Sequence, residues 1–420
     1  MLFLQKIVRQ FWVDQKEERS FIFMAMLCSF CISCDYAIVR PVSNSVFLSF
    51  FSSSYLPYLW LSGVPINFVL VSLYNRYLPK LGCWTIFLIA ACCISSINLL
   101  GAFYLKQSPI FSILHFIWKE IYVLLLFQML WSLIHMTLSI ERAKSLYGPM
   151  FGIGGVGSLL GSFIPGSLAL RMGSESLLFF SFPILILLGC LYRRAIFYSA
   201  PLKTHVAFHK GGGTPSSIQE GIRLIGNSKI LLYILLLVIF MQLASTLLDY
   251  EFNAFLQQVY PDKNLRTAYL GKLGSVIGFF TLFLQFVGSS FLIHVIGVRG
   301  THFSIPLLLG VNSILALVKP GLKTMTFSFA SIKVLDFSLF SIVKEMLYIK
   351  LSPQEKFQAK AVIDIFAYRG AKALAAFLIL GLHYVGVPSH KILLFICVCV
   401  FLVWAFVLRS LFYTTEQKSY

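Results

Sequence analysis

The sequence predicts an all-α polytopic membrane protein of twelve transmembrane helices arranged as two six-helix lobes. Three observations point there. Of the 420 residues, 58% are apolar and only 12% charged, with a mean hydropathy of +0.83, whereas soluble domains carry roughly 45 to 50% apolar residues. Apolar runs recur at the length of about 20 residues that a helix needs to cross a bilayer. The basic residues also fall mainly in alternate connections between those runs. No polar window is long enough for a separate soluble core, so function must reside among the spans.

In chain order, residues 1–19 mix Leu2, Leu4, Ile7, Val8, Phe11 and Trp12 with four basic residues. This pattern fits a cytoplasmic interfacial helix, and a frayed tail fits it equally well. Spans near 20–40, 56–76, 83–104, 110–137, 149–170 and 176–195 form an N-terminal lobe, 20–195. A basic connector, 196–229, carries the Gly/Ser-containing stretch 210–217. Spans near 230–250, 268–296, 301–318, 323–348, 360–385 and 391–413 form a C-terminal lobe, 230–413, followed by a tail, 414–420. With a cytoplasmic N-terminus, the inside segments hold twenty of the 34 Lys/Arg and the outside segments seven. That is the positive-inside bias, which places both termini in the cytoplasm of a multi-pass inner (plasma) membrane protein. The net charge of +18 is thereby accounted for, and a nucleic-acid partner is not expected.

Eight of the nine cysteines lie inside apolar runs, so no disulfide framework is implied. Cys28, Cys31 and Cys34 have a suggestive spacing, but with no His nearby they read as small packing residues on one helix, and no metal is expected. Gly152, Gly154 and Gly157 match G-x-G-x-x-G, yet the motif lies inside a membrane-length run, without the strand a dinucleotide loop needs. With Gly161 it reads as a close helix crossing or a flexible gate. H-E-x-x-H and G-x-S-x-G are absent and the eight histidines are scattered. No catalytic residue, cofactor or enzymatic activity is expected.

The two halves look related. Cys34-Asp35-Tyr36 ends the first span as Leu248-Asp249-Tyr250 ends the seventh, and Leu138-Ser139 with Ala143-Lys144 is answered by Leu351-Ser352 with Ala359-Lys360. Equal span counts and paired landmarks point to a carrier built from parallel repeats, with its substrate site near the midplane. Charges buried in the spans are then the candidate functional residues. Arg40, Lys119, Lys333, Asp336, Arg369 and Lys372 are candidates for substrate binding; Asp35, Glu120, Asp249, Lys344 and Glu345 are candidates for gating or coupling.

Lys333, Asp336 and Lys344 share a helical face with Phe340. Lys333 and Asp336 can neutralise each other one turn apart, or one of them can change partner during transport. Lys119 and Glu120 are about 100° apart on a helix and are expected to pair across helices, not with each other; snorkelling to the outer interface is the competing account. Asp35, Arg40 and Asp249 lie toward the outside ends of the first and seventh spans, where they would lock an outer gate or cap helix ends. Residues 344–372 read as a cytoplasmic hairpin with six Lys/Arg and three Asp/Glu. Arg369 and Lys372 then fall ~15 to 20 Å into a re-entering helix at 1.5 Å per residue, facing protein or a wet cavity.

Several stretches resemble the ATP/ADP translocase family, the nucleotide exchangers of plastids and obligate intracellular bacteria. Glu141 to Gly161 is similar to that family's E-A-K-x-x-Y-P-L-F-G-x-G-A-N region, with one residue inserted near Gly148. Lys344-Glu345-Met346-x-Tyr348-Ile349-x-Leu351 and Lys360-Ala361-x-Ile363-Asp364 resemble K-E-M-A-Y-I-P-L and K-A-A-I-D. A third match is Tyr36 to Arg40, followed by Leu56-Pro57-Tyr58-Leu59 and Pro65. The resemblance implies twelve spans, a major-facilitator type of architecture and exchange of nucleotides. Family members have Lys-Asp where this chain has Ser43-Asn44, a Lys where it has Trp60, a Glu where it has Gln128-Met129, and a Lys where it has Asp336. A polyphosphate needs several cations at close range, so these departures mark an altered site.

The sequence therefore predicts a secondary transporter working by alternating access on a nucleotide or another phosphorylated, anionic small molecule, acting in the lipid bilayer as a monomer in a bacterium. A proton-coupled carrier of another organic ion, working through Asp336 or Asp249, and a non-transporting scaffold on the same fold are the alternatives.

Overall fold

The computed structural model describes residues 16–202, 222–348, 351, 362–363, 367–386 and 389–417. The expectations for 1–15, most of the connector, the hairpin between 349 and 361 apart from Leu351, Asp364 and the last three residues lie outside that set. Regular structure among the described residues is helical: α1 (Lys16–Phe50), α2 (Leu56–Tyr104), α3 (Pro109–Thr137), α4 (Ile140–Met172), α5 (Ser181–Ser199), α6 (Lys229–Val259), α7 (Lys263–Val318), α8 (Leu322–Leu347), α9 (Tyr368–Tyr384) and α10 (Ser389–Gln417). Among these residues, nine stretches are long and apolar enough to cross a membrane.

Local chemistry sets the boundaries. Ser108 accepts a hydrogen bond from the Phe111 amide at 3.2 Å, and Pro109 occupies the first turn of α3, where its missing N–H costs nothing. Ser139 caps α4 through the Arg142 amide, and Asp262 caps α7 through the amides of Asn264 and Leu265. Within α2 and α7 the backbone breaks at Gly82 (φ 76°) and Gly297 (φ 72°), a left-handed conformation that glycine adopts without steric cost. Both breaks fall between predicted spans. Helix α7 also contains a π turn at Leu284–Gly288, and α8 one at Asp336–Phe340.

Two helices run nine or ten residues past their expected C-terminal ends. The first was predicted to end near 40, yet α1 continues through Pro41 to Phe50. Proline removes one backbone hydrogen bond, but Val42, Ser43 and 45–48 are buried, and tertiary packing sustains the helix beyond it. In the same way α6 continues past 250 to Val259, with residues 250–254 buried.

The helices form two compact units. The first contains α1, α2 from Ser62 onward, α3, α4, α5 and residues 261–278. Its packing rests on glycine. A Cβ added at Gly157 would lie 2.3 Å from the Phe30 carbonyl oxygen, and one at Gly161 2.3 Å from that of Cys34. The G-x-x-x-G stretch is therefore the close crossing of α4 on α1. Farther along α4, Gly166 meets Gly271 of α7 just as tightly. The second unit contains residues 51–61, α6, α7 from Phe279 onward, α8, α9 and α10. Its core includes the fully buried Trp404, edge-on to Phe340 at 5.5 Å, and a stacked pair, Phe252 and Phe329, at 4.4 Å.

Candidate functional site

In the first unit the buried carboxylate of Asp35 is held by neutral donors. Asp35 is fully buried near the middle of α1, not at its outer end, because the helix runs fifteen residues past it. It accepts hydrogen bonds from the Tyr122 hydroxyl at 2.8 Å and from the Ser181 hydroxyl, and Asn98 Nδ2 donates to Ser181 Oγ at 2.8 Å. An ionised carboxylate in a protein interior is tolerable when its oxygens are met in this way. Arg40 lies one turn on, half-buried, immediately before Pro41.

The expectation for Lys119 and Glu120 is corrected. Lys119 Nζ bonds Glu120 Oε1 at 2.8 Å and also lies 3.6 Å from the centroid of the Phe116 ring. Neighbours about 100° apart can still meet, because a four-carbon lysine stem bends around the helix. Lys119 is thereby buried while Glu120 stays 32% exposed. Two family departures also find neutral substitutes here. Ser43 bonds His115 Nδ1 at 3.1 Å, and Met129 is a buried core residue whose carbonyl accepts from Tyr192 at 3.3 Å.

In the second unit the polar residues converge on α6. Gln242, Ser245 and Asp249 recur at spacings of three and four, on one helical face. Gln242 Nε2 donates to Asp336 at 2.8 Å; Lys333 Nζ donates to Ser245 at 2.9 Å and lies 3.9 Å from Asp249 Oδ2. Asn253 adds a donor to Asp249 Oδ1 at 2.7 Å. Asp249, like Asp35, sits well inside its helix and not at its end. The next two residues reach other helices: Tyr250 bonds His383 of α9 at 3.0 Å, and Glu251 bonds His390 of α10 at 2.5 Å.

The π turn in α8 begins at Asp336, so the face that Lys333, Asp336, Phe340 and Lys344 would share on a regular helix does not run straight through. One extra residue in the turn changes the direction in which the later side chains point. Asp336, Phe340 and Lys344 are nonetheless all buried, and Lys333 is 15% exposed. Beyond the turn, Lys344 Nζ lies 5.6 Å from the Tyr368 ring, and Lys372 Nζ lies 5.4 Å from the ring of Trp60. Arg369, half-buried, falls between Tyr368 and Lys372 on α9, while Glu345 is exposed. Trp60, where the family carries a lysine, is therefore an aromatic face for a cation supplied by α9.

The structure thus joins Lys119 with Glu120 and Lys333 with Asp249, and sets Lys344 and Lys372 each over a different aromatic ring. Sequence reasoning did not single out Gln242, Ser245, Tyr122, Ser181, Glu251 or His390. The carboxylates of Asp249 and Glu251, two residues apart in an apolar run, were the one available signal.

Comparison with known proteins gives the same picture. The family model described as TLC ATP/ADP transporter matches residues 177–319 and 291–414, more than half of the chain. ADP,ATP carrier protein 4 of Rickettsia conorii is 21% identical over 484 residues, covering 96% of this chain and 94% of the carrier. The Rickettsia felis carrier of the same name is 21% identical, covering 95% and 93%. Among solved structures, the nucleoside transporter NupG superposes with a TM-score of 0.63 at 14% identity, covering 93% of this chain and 100% of NupG. A POT family peptide transporter gives 0.63 at 11%, covering 93% and 96%. At those identities the structures show the fold alone, and it is the major-facilitator-like transporter fold. With its apolar helices and bacterial carrier relatives, the protein is an integral membrane transporter and not an enzyme. It belongs to the TLC ATP/ADP transporter family.

Proposed function

We propose that the protein exchanges ATP, ADP or a closely related phosphorylated metabolite across a bacterial inner membrane, working by alternating access as a monomer of two six-helix lobes, 20–195 and 230–413. Family membership carries this reading. The twelve-span count is supported by the helix breaks. Taking the segments on either side of Gly82 and Gly297 as separate spans and adding α9 brings the nine stretches to twelve. The positive-inside bias puts both termini in the cytoplasm.

In this reading Arg369 and Lys372 meet the phosphates, with Lys344 beside Tyr368. Charged donors of this kind make the stronger hydrogen bonds to phosphate oxygens. Lys333, Asp336 and Asp249 form the part of the site that changes partners, because Lys333 already shares itself between Ser245 and Asp249. Arg40, Lys119 and Glu120 serve the N-terminal lobe in the same manner, while Asp35 anchors its core. Glu345 is assigned to coupling at the cytoplasmic end of α8.

Purified protein in liposomes, loaded with ADP and given labelled ATP without a pH gradient, should exchange the two. Arg369→Ala should abolish exchange and Lys372→Ala should weaken it by tenfold or more. Exchange that survives both substitutions would remove α9 from the site.

A further inference from the structure

The pair formed by Glu251 and His390 has no part in the substrate site just described. Glu251 lies eight residues before the end of α6, ~12 Å along the helix. It is 1% exposed, and its Oε1 atom is buried with no hydrogen-bond partner among the described residues. Its Oε2 atom meets His390 Nδ1 at 2.5 Å, and the His390 side chain is 42% exposed. One member of the pair is thus sealed in the protein while the other is open. A purely structural ion pair gains most when both oxygens are satisfied; among the described residues one of them has no donor.

Several titratable groups surround the pair among the described residues. Of the elements packed on α6, α8 presents Lys333 and Asp336, which are bonded to Asp249, Ser245 and Gln242. Helix α9 presents His383, bonded to Tyr250, and also carries Arg369, Lys372 and the exposed Tyr384. Helix α10 presents His390 itself, with Lys391 next to it, and the buried Cys397 thiol within electrostatic reach of Glu251. The turn Ser53–Tyr55 contributes Tyr55. Imidazole gains and loses protons across the physiological range, and the exposed ring is a route between water and the sealed carboxylate.

Resting on the transport reading above, we propose that Glu251 and His390 bind a proton that travels with the substrate, so that net uptake is driven by the proton gradient. Taking up one proton changes the pair from a net charge of −1 to neutral, and releasing it on the other side restores the charge. Exchange needs no gradient, because a proton moves in each direction with each nucleotide.

The test uses the full chain in liposomes containing a trapped pH dye, with the membrane potential clamped by potassium and valinomycin. Downhill entry of ADP should acidify the lumen. An inward gradient of about 1.5 pH units should raise net accumulation up to about 30-fold, tenfold per pH unit for each proton carried. Glu251→Gln should lose both effects while ADP/ATP exchange continues, and His390→Gln should do the same by a second route. In an unsubstituted protein that exchanges ADP for ATP, net downhill ADP entry without acidification would overturn the inference and leave the transport reading intact, as would gradient-driven uptake that persists in both variants. Absence of exchange in the unsubstituted protein would overturn both.

Discussion

The crossing of α4 on α1 offers the sharpest test of the packing. Replacing Gly157 with Ala puts a methyl group 2.3 Å from the Phe30 carbonyl oxygen, about 1 Å closer than the 3.3 Å or more at which carbon and carbonyl oxygen normally meet. Neither partner is a flexible side-chain end, so the helices must part. One turn on, Gly161 is equally tight against Cys34, and separation at one point loosens the other. Overpacking of this sort costs ~1 to 3 kcal/mol, and the better helix propensity of Ala returns at most ~1 kcal/mol. A net loss of up to ~2 kcal/mol lowers Tm by about 1 to 2 °C in a chain of 420 residues, at ~2.1 cal/mol/K of unfolding entropy per residue. The assay is thermal unfolding in detergent at one fixed scan rate, with Gly148→Ala as the control. Gly148 is on the same helix, and an added Cβ there meets nothing within 4 Å. That control should leave Tm unchanged or slightly raised. Equal shifts for the two variants would refute the steric argument.

Two further outcomes are expected from the buried charges. Lys333→Ala and Asp249→Ala should each destabilise the protein, but the double variant should lose less than their sum, with a coupling of ~1 to 3 kcal/mol by a double-mutant cycle in thermal unfolding; strict additivity would show that the 3.9 Å contact is incidental. Tyr122→Phe removes one of the donors to the buried Asp35 carboxylate and should cost ~1.5 to 3 kcal/mol, as for hydrogen bonds to charged groups. Asp35→Asn should cost less in that background than alone, because only the Ser181 donor then remains to be lost; an equal cost in both backgrounds would show that the Tyr122 bond is incidental.

Much of the architecture could be read from the residues because bilayer thickness and glycine leave strong marks. The breaks at Gly82 and Gly297 fall where short polar interruptions with Lys80 and Arg299 divide long apolar runs. The tight crossing at Gly157 and Gly161 was legible because only glycine lets backbones approach so closely. Helix ends were less legible where packing overrode local signals, as at Pro41, and that shortfall moved Asp35 and Asp249 from helix ends to helix interiors. The partners of buried charges were least legible. Nothing in the spacing of Lys333 says that Ser245 of α6 will face it, and the π turn at Asp336 rotates the residues beyond it in a way no regular period anticipates. Lys119 and Glu120 show the reverse failure, since a flexible stem defeated an inference drawn from helical angle alone. The departures from the family pattern became interpretable only with neighbours in place: Ser43 meets His115, Trp60 faces Lys372, and Asp336 is held by Gln242.

Nucleotide movement through a membrane is the central claim. Liposomes bearing the unsubstituted protein should take up labelled ATP when their lumen contains ADP, and should take up far less when it is empty and no proton gradient is applied. Uptake that ignores the lumenal nucleotide, or no uptake at all, would contradict it.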